Sequence, residues 1–299
     1  MDIAWWFAAA CPEAPADGHG GCMLRVLSYE RLRESQEMND LLQADSSYTT
    51  MTGKDIPLFA GVVPTFYFYS RFFGVIYRAS RLAKRGQYDG MNWAASSLEI
   101  LHLLEDIGVR IHITGLEEFR KIAGPCVIIG NHMSMMETVI LPVMIQPLKP
   151  VTFVIKESLL EYPVFKHIMR SRDPVAVSRT NPRQDLKIVL EEGEKRLRQG
   201  VSIVVFPQTT RANSFDPSQM SSIGIKLAKR AGVPIIPLAL RTDAWTNGRH
   251  IKDFGIIDAA KPVHFAFGAP FSVVGKGTEE QQMITDFISG KLAEWGREG

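Results

Sequence analysis

The chain has only three cysteines in 299 residues, Cys11, Cys22 and Cys126. Their odd number and wide spacing exclude a disulfide framework and a cysteine-based zinc site, and they fit a reducing compartment. No charge of one sign dominates: 34 basic against 32 acidic side chains leave a formal net charge of +2. That is too little for a protein whose whole surface grips nucleic acid, although a local basic patch remains open. The sequence lacks an apolar run of the ~20 residues that a simple membrane span requires. Its first ten residues place Asp2 where a leader would carry basic residues, and their apolar stretch is short, so residence on the cytoplasmic side is expected. Also missing are G-x-S-x-G, the G-x-x-x-x-G-K-S/T phosphate loop, G-x-G-x-x-G, C-x-x-C and H-E-x-x-H. Their absence argues against serine-elbow hydrolases, P-loop enzymes, dinucleotide dehydrogenases and zinc peptidases.

What is present is ordinary globular composition, with 45% apolar and 22% charged residues. Residues 1–50 open rich in Pro, Gly and Ala and continue polar and charged, so a weakly ordered, dispensable extension is expected there. From Ile56 to Ser70 run 15 uncharged residues crowded with aromatics and interrupted by Pro57 and Pro64. The following stretch from Arg71 to Arg85 reads as a helix. At about 100° per residue, Arg71, Arg78, Arg81, Lys84 and Arg85 share an arc of about 140° opposite Phe72, Val75, Ile76, Ala79, Leu82 and Ala83. That pattern describes a helix lying on an anionic membrane, or one whose apolar side packs on the domain itself. The first reading makes residues 51–107 a membrane-associating helical segment.

Residues 108–299 alternate between two periods. Strand-like runs occur at Val109–Ile113, Cys126–Ile129, Val151–Ile155, Val175–Val177, Val201–Phe206, Ile235–Leu240 and Val263–Phe267. Helical patterns lie near Met135–Ile145, Leu159–Met169, Arg183–Arg198, Ser218–Ala231 and Glu279–Trp295. The alternation predicts an α/β fold, a mixed and largely parallel sheet covered by helices, with active residues at strand ends.

Two strand ends carry chemistry. Gly130-Asn131-His132-Met133-Ser134-Met135-Met136-Glu137 follows the second strand. A histidine with a carboxylate five residues on has both parts of a general-base dyad, the carboxylate fixing the imidazole's tautomer. Ser134 and Glu137 also spell S-x-x-E, a capping box that would close the next helix without any catalytic purpose. After the strand Val201–Phe206 comes Pro207-Gln208-Thr209-Thr210-Arg211, two hydroxyls and a guanidinium suited to hold a phosphate.

Together these segments resemble the glycerolipid acyltransferase family, which includes the lysophosphatidate acyltransferases. Its N-H-x-S-x-x-D motif is matched by Asn131, His132 and Ser134, with Glu137 for the aspartate. Its F-P-E-G-T-R motif is matched by Phe206, Pro207, Thr210 and Arg211, with Gln208 and Thr209 as departures. The family's lysine–arginine block is similar to Lys156 and Arg179, and its V-P-I-x-P strand to Val233–Pro237. The resemblance implies acyl transfer from a thioester to the free hydroxyl of 1-acyl-glycerol-3-phosphate in phospholipid synthesis. His132 and Glu137 are then the catalytic pair, and Lys156, Arg179, Thr209, Thr210 and Arg211 hold the acceptor. It implies no metal or bound cofactor, with acyl-CoA or an acyl carrier protein thioester as co-substrate. The partners it implies are a lysophospholipid, a membrane surface and acyl carrier protein, with no nucleic acid, at the cytoplasmic face of the inner or plasma membrane. Gln208 keeps two alternatives open: another lysophospholipid or lyso-aminolipid acceptor, or a catalytically silent lipid-binding homologue.

Overall fold

Strands that are apolar at every position belong in the middle of a sheet covered from both sides. In the computed structural model, β3 (Val127–Gly130) and β6 (Ser202–Val205) are buried throughout and pair in parallel. The structure describes residues 63–297 apart from Thr209 and His250, together with residues 38, 41, 47–50 and 61. The other strands are β1 (Ser47–Thr49), β2 (Ile111–Thr114), β4 (Val151–Lys156), β5 (Val175–Val177), β7 (Ile235–Arg241) and β8 (Val263–Phe267). Among the described residues they form one sheet in the order β1-β2-β8-β7-β3-β6-β4-β5. Only the β1–β2 and β7–β8 pairings are antiparallel, so the sheet is mixed and largely parallel, as expected.

The period-2 alternation of side chains divides the core into two layers. Ile128, Val204, Ile236 and Leu238 point to one face, covered by α1 (Pro64–Lys84), α2 (Gly90–Asp106) and α3 (Met136–Ile145). Val127, Ile129, Ile203 and Val205 point to the other, covered by α5 (Pro182–Arg198), α6 (Ile223–Ala231) and α7 (Thr278–Arg297). Local signals set the helix ends. The Asp89 carboxylate accepts the Asn92 N–H at 2.8 Å to open α2, and Asn181 with Pro182 opens α5. Gly232, at φ 66°, closes α6 in the left-handed conformation. The helix expected over Leu159–Met169 is a 3-10 turn at Glu157–Glu161 followed by the short α4 (Lys166–Ser171). Pro163 lies between the two, and its missing N–H prevents one continuous helix.

Two expected boundaries are corrected. Residue 50 does not end a weakly ordered extension: β1 pairs with β2, and the buried Thr50 hydroxyl bonds Glu105 at 2.8 Å while accepting the Ile111 N–H at 2.9 Å. The remainder of residues 1–50, save Met38 and Leu41, lies outside the described residues. Nor do the described residues of 51–107 form a unit apart from the α/β domain. Phe68 and Phe72 of α1 are fully buried, with ring centroids 5.0 and 5.4 Å from Trp245, and Val75, Ile76 and Ala79 continue the same core. The apolar side of this helix therefore faces protein, while Arg71, Arg81, Lys84 and Arg85 are exposed. No helix among the described residues is long and apolar enough to cross a membrane.

Candidate active site

Strand order places the two motif segments side by side. β3 and β6 are adjacent and parallel, so the turn at His132 and the turn through Gln208–Arg211 leave the same sheet edge, and the Ala212 N–H donates to the His132 carbonyl at 3.0 Å. β4 and β5 follow on the far side of β6, bringing Lys156 and Arg179 to that edge as well.

His132 is held from four sides. Its Nδ1 lies 3.2 Å from Glu137 Oε2, and its backbone N–H donates to Gln208 Oε1 at 2.6 Å. Its ring stacks on Phe206 with centroids 4.4 Å apart and planes 6° from parallel. Its Nε2 faces the Arg211 Nε at 3.4 Å. Asn131 fixes the approach by a reciprocal pair of 2.8 Å bonds to the Leu240 backbone on β7. A carboxylate only accepts, so Nδ1 carries the proton toward Glu137 and Nε2 keeps its lone pair for the site.

Glu137 is completely buried. Burial alone would raise its pKa. The bonds from His132, from Thr242 Oγ1 at 2.6 Å and from the Ser134 N–H at 2.9 Å outweigh that, holding the carboxyl below its usual range and ionised at neutral pH. The Met133 N–H adds a further bond at 2.8 Å. The two readings of S-x-x-E are thereby reconciled. Glu137 does accept the Ser134 N–H as a capping residue would, but Ser134 Oγ accepts from Met136 rather than Glu137, and the second carboxylate oxygen serves the imidazole. This network also engages the backbone N–H groups of His132, Met133, Ser134 and Met136, so these are not available to a developing oxyanion.

Arg211 pairs with Asp253 at 2.6 Å, both side chains being under one-fifth exposed. Arg179 has φ 61°, a left-handed backbone its neighbour Asp185 secures by accepting the Arg179 N–H at 2.8 Å. Its guanidinium pKa is lowered first by desolvation and then by the Arg211 charge. Lys156 is exposed at the end of β4 and forms no ion pair among the described residues. Thr210 is exposed beside Arg211, and Thr209 lies outside the described residues. Sequence reasoning did not find Thr242, Asp253 or the role of Gln208. Thr242 directly follows β7 and was discoverable as a strand-end hydroxyl; Asp253 sits in a loop without any motif. Among the described residues no group of three or more His, Cys, Asp or Glu is arranged to hold a metal ion.

A carboxylate-oriented histidine beside a guanidinium at the carboxyl edge of a largely parallel sheet can accept a proton and sit next to a bound anion. Residues 110–241 match the Acyltransferase family model. The chain is 31% identical over 148 residues to a 1-acyl-sn-glycerol-3-phosphate acyltransferase of Pseudomonas aeruginosa, covering 50% of this chain and 55% of that one. It is 34% identical over 136 residues to a probable enzyme of the same name from Mycoplasma pneumoniae, covering 44% and 50%. The chain thus spans about half the length of these curated relatives. The 1-acyl-sn-glycerophosphate (LPA) acyltransferase PlsC of Thermotoga maritima has the same fold, with a TM-score of 0.58 and 18% identity over 79% of this chain and 96% of that one.

Proposed function

We propose that this protein transfers a fatty acyl group from an acyl thioester to the free hydroxyl of 1-acyl-glycerol-3-phosphate, giving phosphatidate in phospholipid synthesis. The observation that carries the reading is the Glu137–His132 pair with the imidazole's Nε2 turned toward Arg211. Two of the relatives bear the name of this activity. An alcohol is a poor nucleophile at neutral pH, so His132 Nε2 takes its proton as the oxygen attacks the thioester carbonyl. Glu137 steadies the imidazolium, which returns the proton to the sulfur as the C–S bond breaks and the ester C–O bond remains. Such assistance contributes about 10²–10⁴ in rate. Arg211 and Arg179, with Lys156, Thr209 and Thr210, hold the acceptor's phosphate and fix its hydroxyl against the base. The donor is acyl-CoA or an acyl carrier protein thioester, with no resident cofactor.

The substrate and product are membrane lipids, and we place the protein as a peripheral or monotopic one at the cytoplasmic face of a membrane. Support comes from exposed apolar side chains at the start of α1, Val63 and Phe66, and in the 245–257 loop, Ile251 and Ile256. The Ile257 N–H donates to Thr65 Oγ1 at 3.1 Å, which brings the two groups together. Gln208 in place of the motif glutamate favours, as a second reading, a different lysolipid acceptor. The test is thiol release from a long-chain acyl-CoA and from acyl carrier protein, with and without 1-acyl-glycerol-3-phosphate, in wild type and His132→Ala. Acceptor-dependent release that disappears in the variant is expected. Release that persists in His132→Ala refutes the base; no release with any lysolipid refutes the enzyme reading.

A further inference from the structure

Asp253 belongs to none of the matched motifs, yet its carboxylate occupies Arg211. The 245–257 loop that carries it is braced independently of that contact. Trp245 pairs with Ile257 across the loop, Trp245 Nε1 donates to the Asp253 carbonyl at 3.1 Å, and the Tyr69 hydroxyl donates to the Gly255 carbonyl at 2.7 Å. Gly255 is packed so closely that a Cβ there would lie 1.9 Å from the Thr246 carbonyl oxygen. Asn247 Nδ2 ties the loop to the catalytic turn by donating to the Met133 carbonyl at 3.2 Å. The carboxylate is therefore presented to Arg211 by a fixed backbone. Nearby, the Tyr162 hydroxyl has its pKa raised first by burial and then by the Asp253 charge.

A carboxylate and a phosphate bind a guanidinium through the same fork of N–H groups and compete for it. Each arriving head group must therefore outdo one negative charge already in place. A phosphomonoester carries close to two at neutral pH, enough to draw the guanidinium from a single carboxylate. While Asp253 holds Arg211, the Arg211 Nε also stays 3.4 Å from the lone pair of His132 that must receive the proton. Drawing the guanidinium onto a phosphate frees that nitrogen.

We propose that Asp253 is a positioning residue: without acceptor it holds the Arg211 guanidinium that the acceptor's phosphate takes, so a phosphomonoester lysolipid displaces it on binding. The proposal rests on the acyl-transfer reading above and says what the acceptor displaces there. The experiment measures kcat and KM for wild type, Asp253→Asn, Asp253→Ser and Asp253→Glu with 1-acyl-glycerol-3-phosphate. Glycerol 3-phosphate binding is titrated in parallel. In the Asn and Ser variants KM for 1-acyl-glycerol-3-phosphate is expected to fall at least threefold. The Glu variant is expected to return most of the way to wild type, and glycerol 3-phosphate to bind at least threefold more tightly to the Asn variant. A residue that merely props the loop would lower kcat/KM instead. An unchanged KM, or glycerol 3-phosphate binding no tighter, overturns the proposal. If wild type does not acylate this acceptor, the acyl-transfer reading fails, and the titration still decides whether Asp253 competes with phosphate for Arg211.

Discussion

Replacing Glu137 by Gln removes one charge while keeping the side chain's shape, and the surrounding donors dictate the outcome. Oε1 accepts from Met133 N–H, Ser134 N–H and Thr242 Oγ1 at 2.8, 2.9 and 2.6 Å, all of them donors. The amide oxygen of the variant must stay there, which leaves its NH2 facing His132 Nδ1. Two donors cannot face each other, so the imidazole shifts its proton to Nε2 and the lone pair needed by the acceptor's hydroxyl points away from it. The loss should approach the whole of general-base assistance, about 10²–10⁴-fold in kcat. Weakening the bonds to a buried carboxylate should also cost about 1–3 kcal/mol of stability. Glu137→Asp keeps the charge, and its kcat should stay within about tenfold of wild type. The assay is steady-state acyl transfer for both variants beside their urea unfolding curves. Equal and small effects of the two changes on kcat would sink the orienting role and leave Glu137 a helix-start residue alone.

Phe72→Ala empties a fully buried site against Trp245 and should cost about 3–5 kcal/mol in urea unfolding, read as a lower midpoint. A cost under about 1 kcal/mol would mean that α1 is detachable from the domain after all. His264 lies between His112 and Trp295, with ring centroids 4.9 and 4.8 Å away. Burial first, then the neighbouring His112 and Arg241, push its pKa down to about 4. The folded state thus favours the neutral ring, and the unfolded chain takes up a proton below the ordinary value of about 6.5. Stability from this residue is complete above about pH 6.5 and is lost as pH falls toward 4. Thermal unfolding midpoints of His264→Phe should accordingly decline less than those of wild type across that interval, and parallel curves would refute the assignment.

Much of this protein was written locally in its sequence. The apolar runs that became β3, β6 and β7 could bury their backbones only inside a covered sheet, and the helix ends at Asp89, Asn181 and Gly232 follow from side chains a few residues away. His132 and Glu137 are five residues apart, so a single turn brings them together, and a pairing of that range is legible as a motif. What lay beyond reach was set over long separations. The arc of Arg71 to Arg85 has one apolar side whether it meets lipid or protein, and only Trp245, more than 170 residues later in the chain, settles that Phe68 and Phe72 face the core. Thr242 reaches Glu137 because β7 lies beside β3, and Asp253 reaches Arg211 because the 245–257 loop folds back over the sheet edge. Local sequence determines which groups a strand end offers; the order of the strands decides which of them meet.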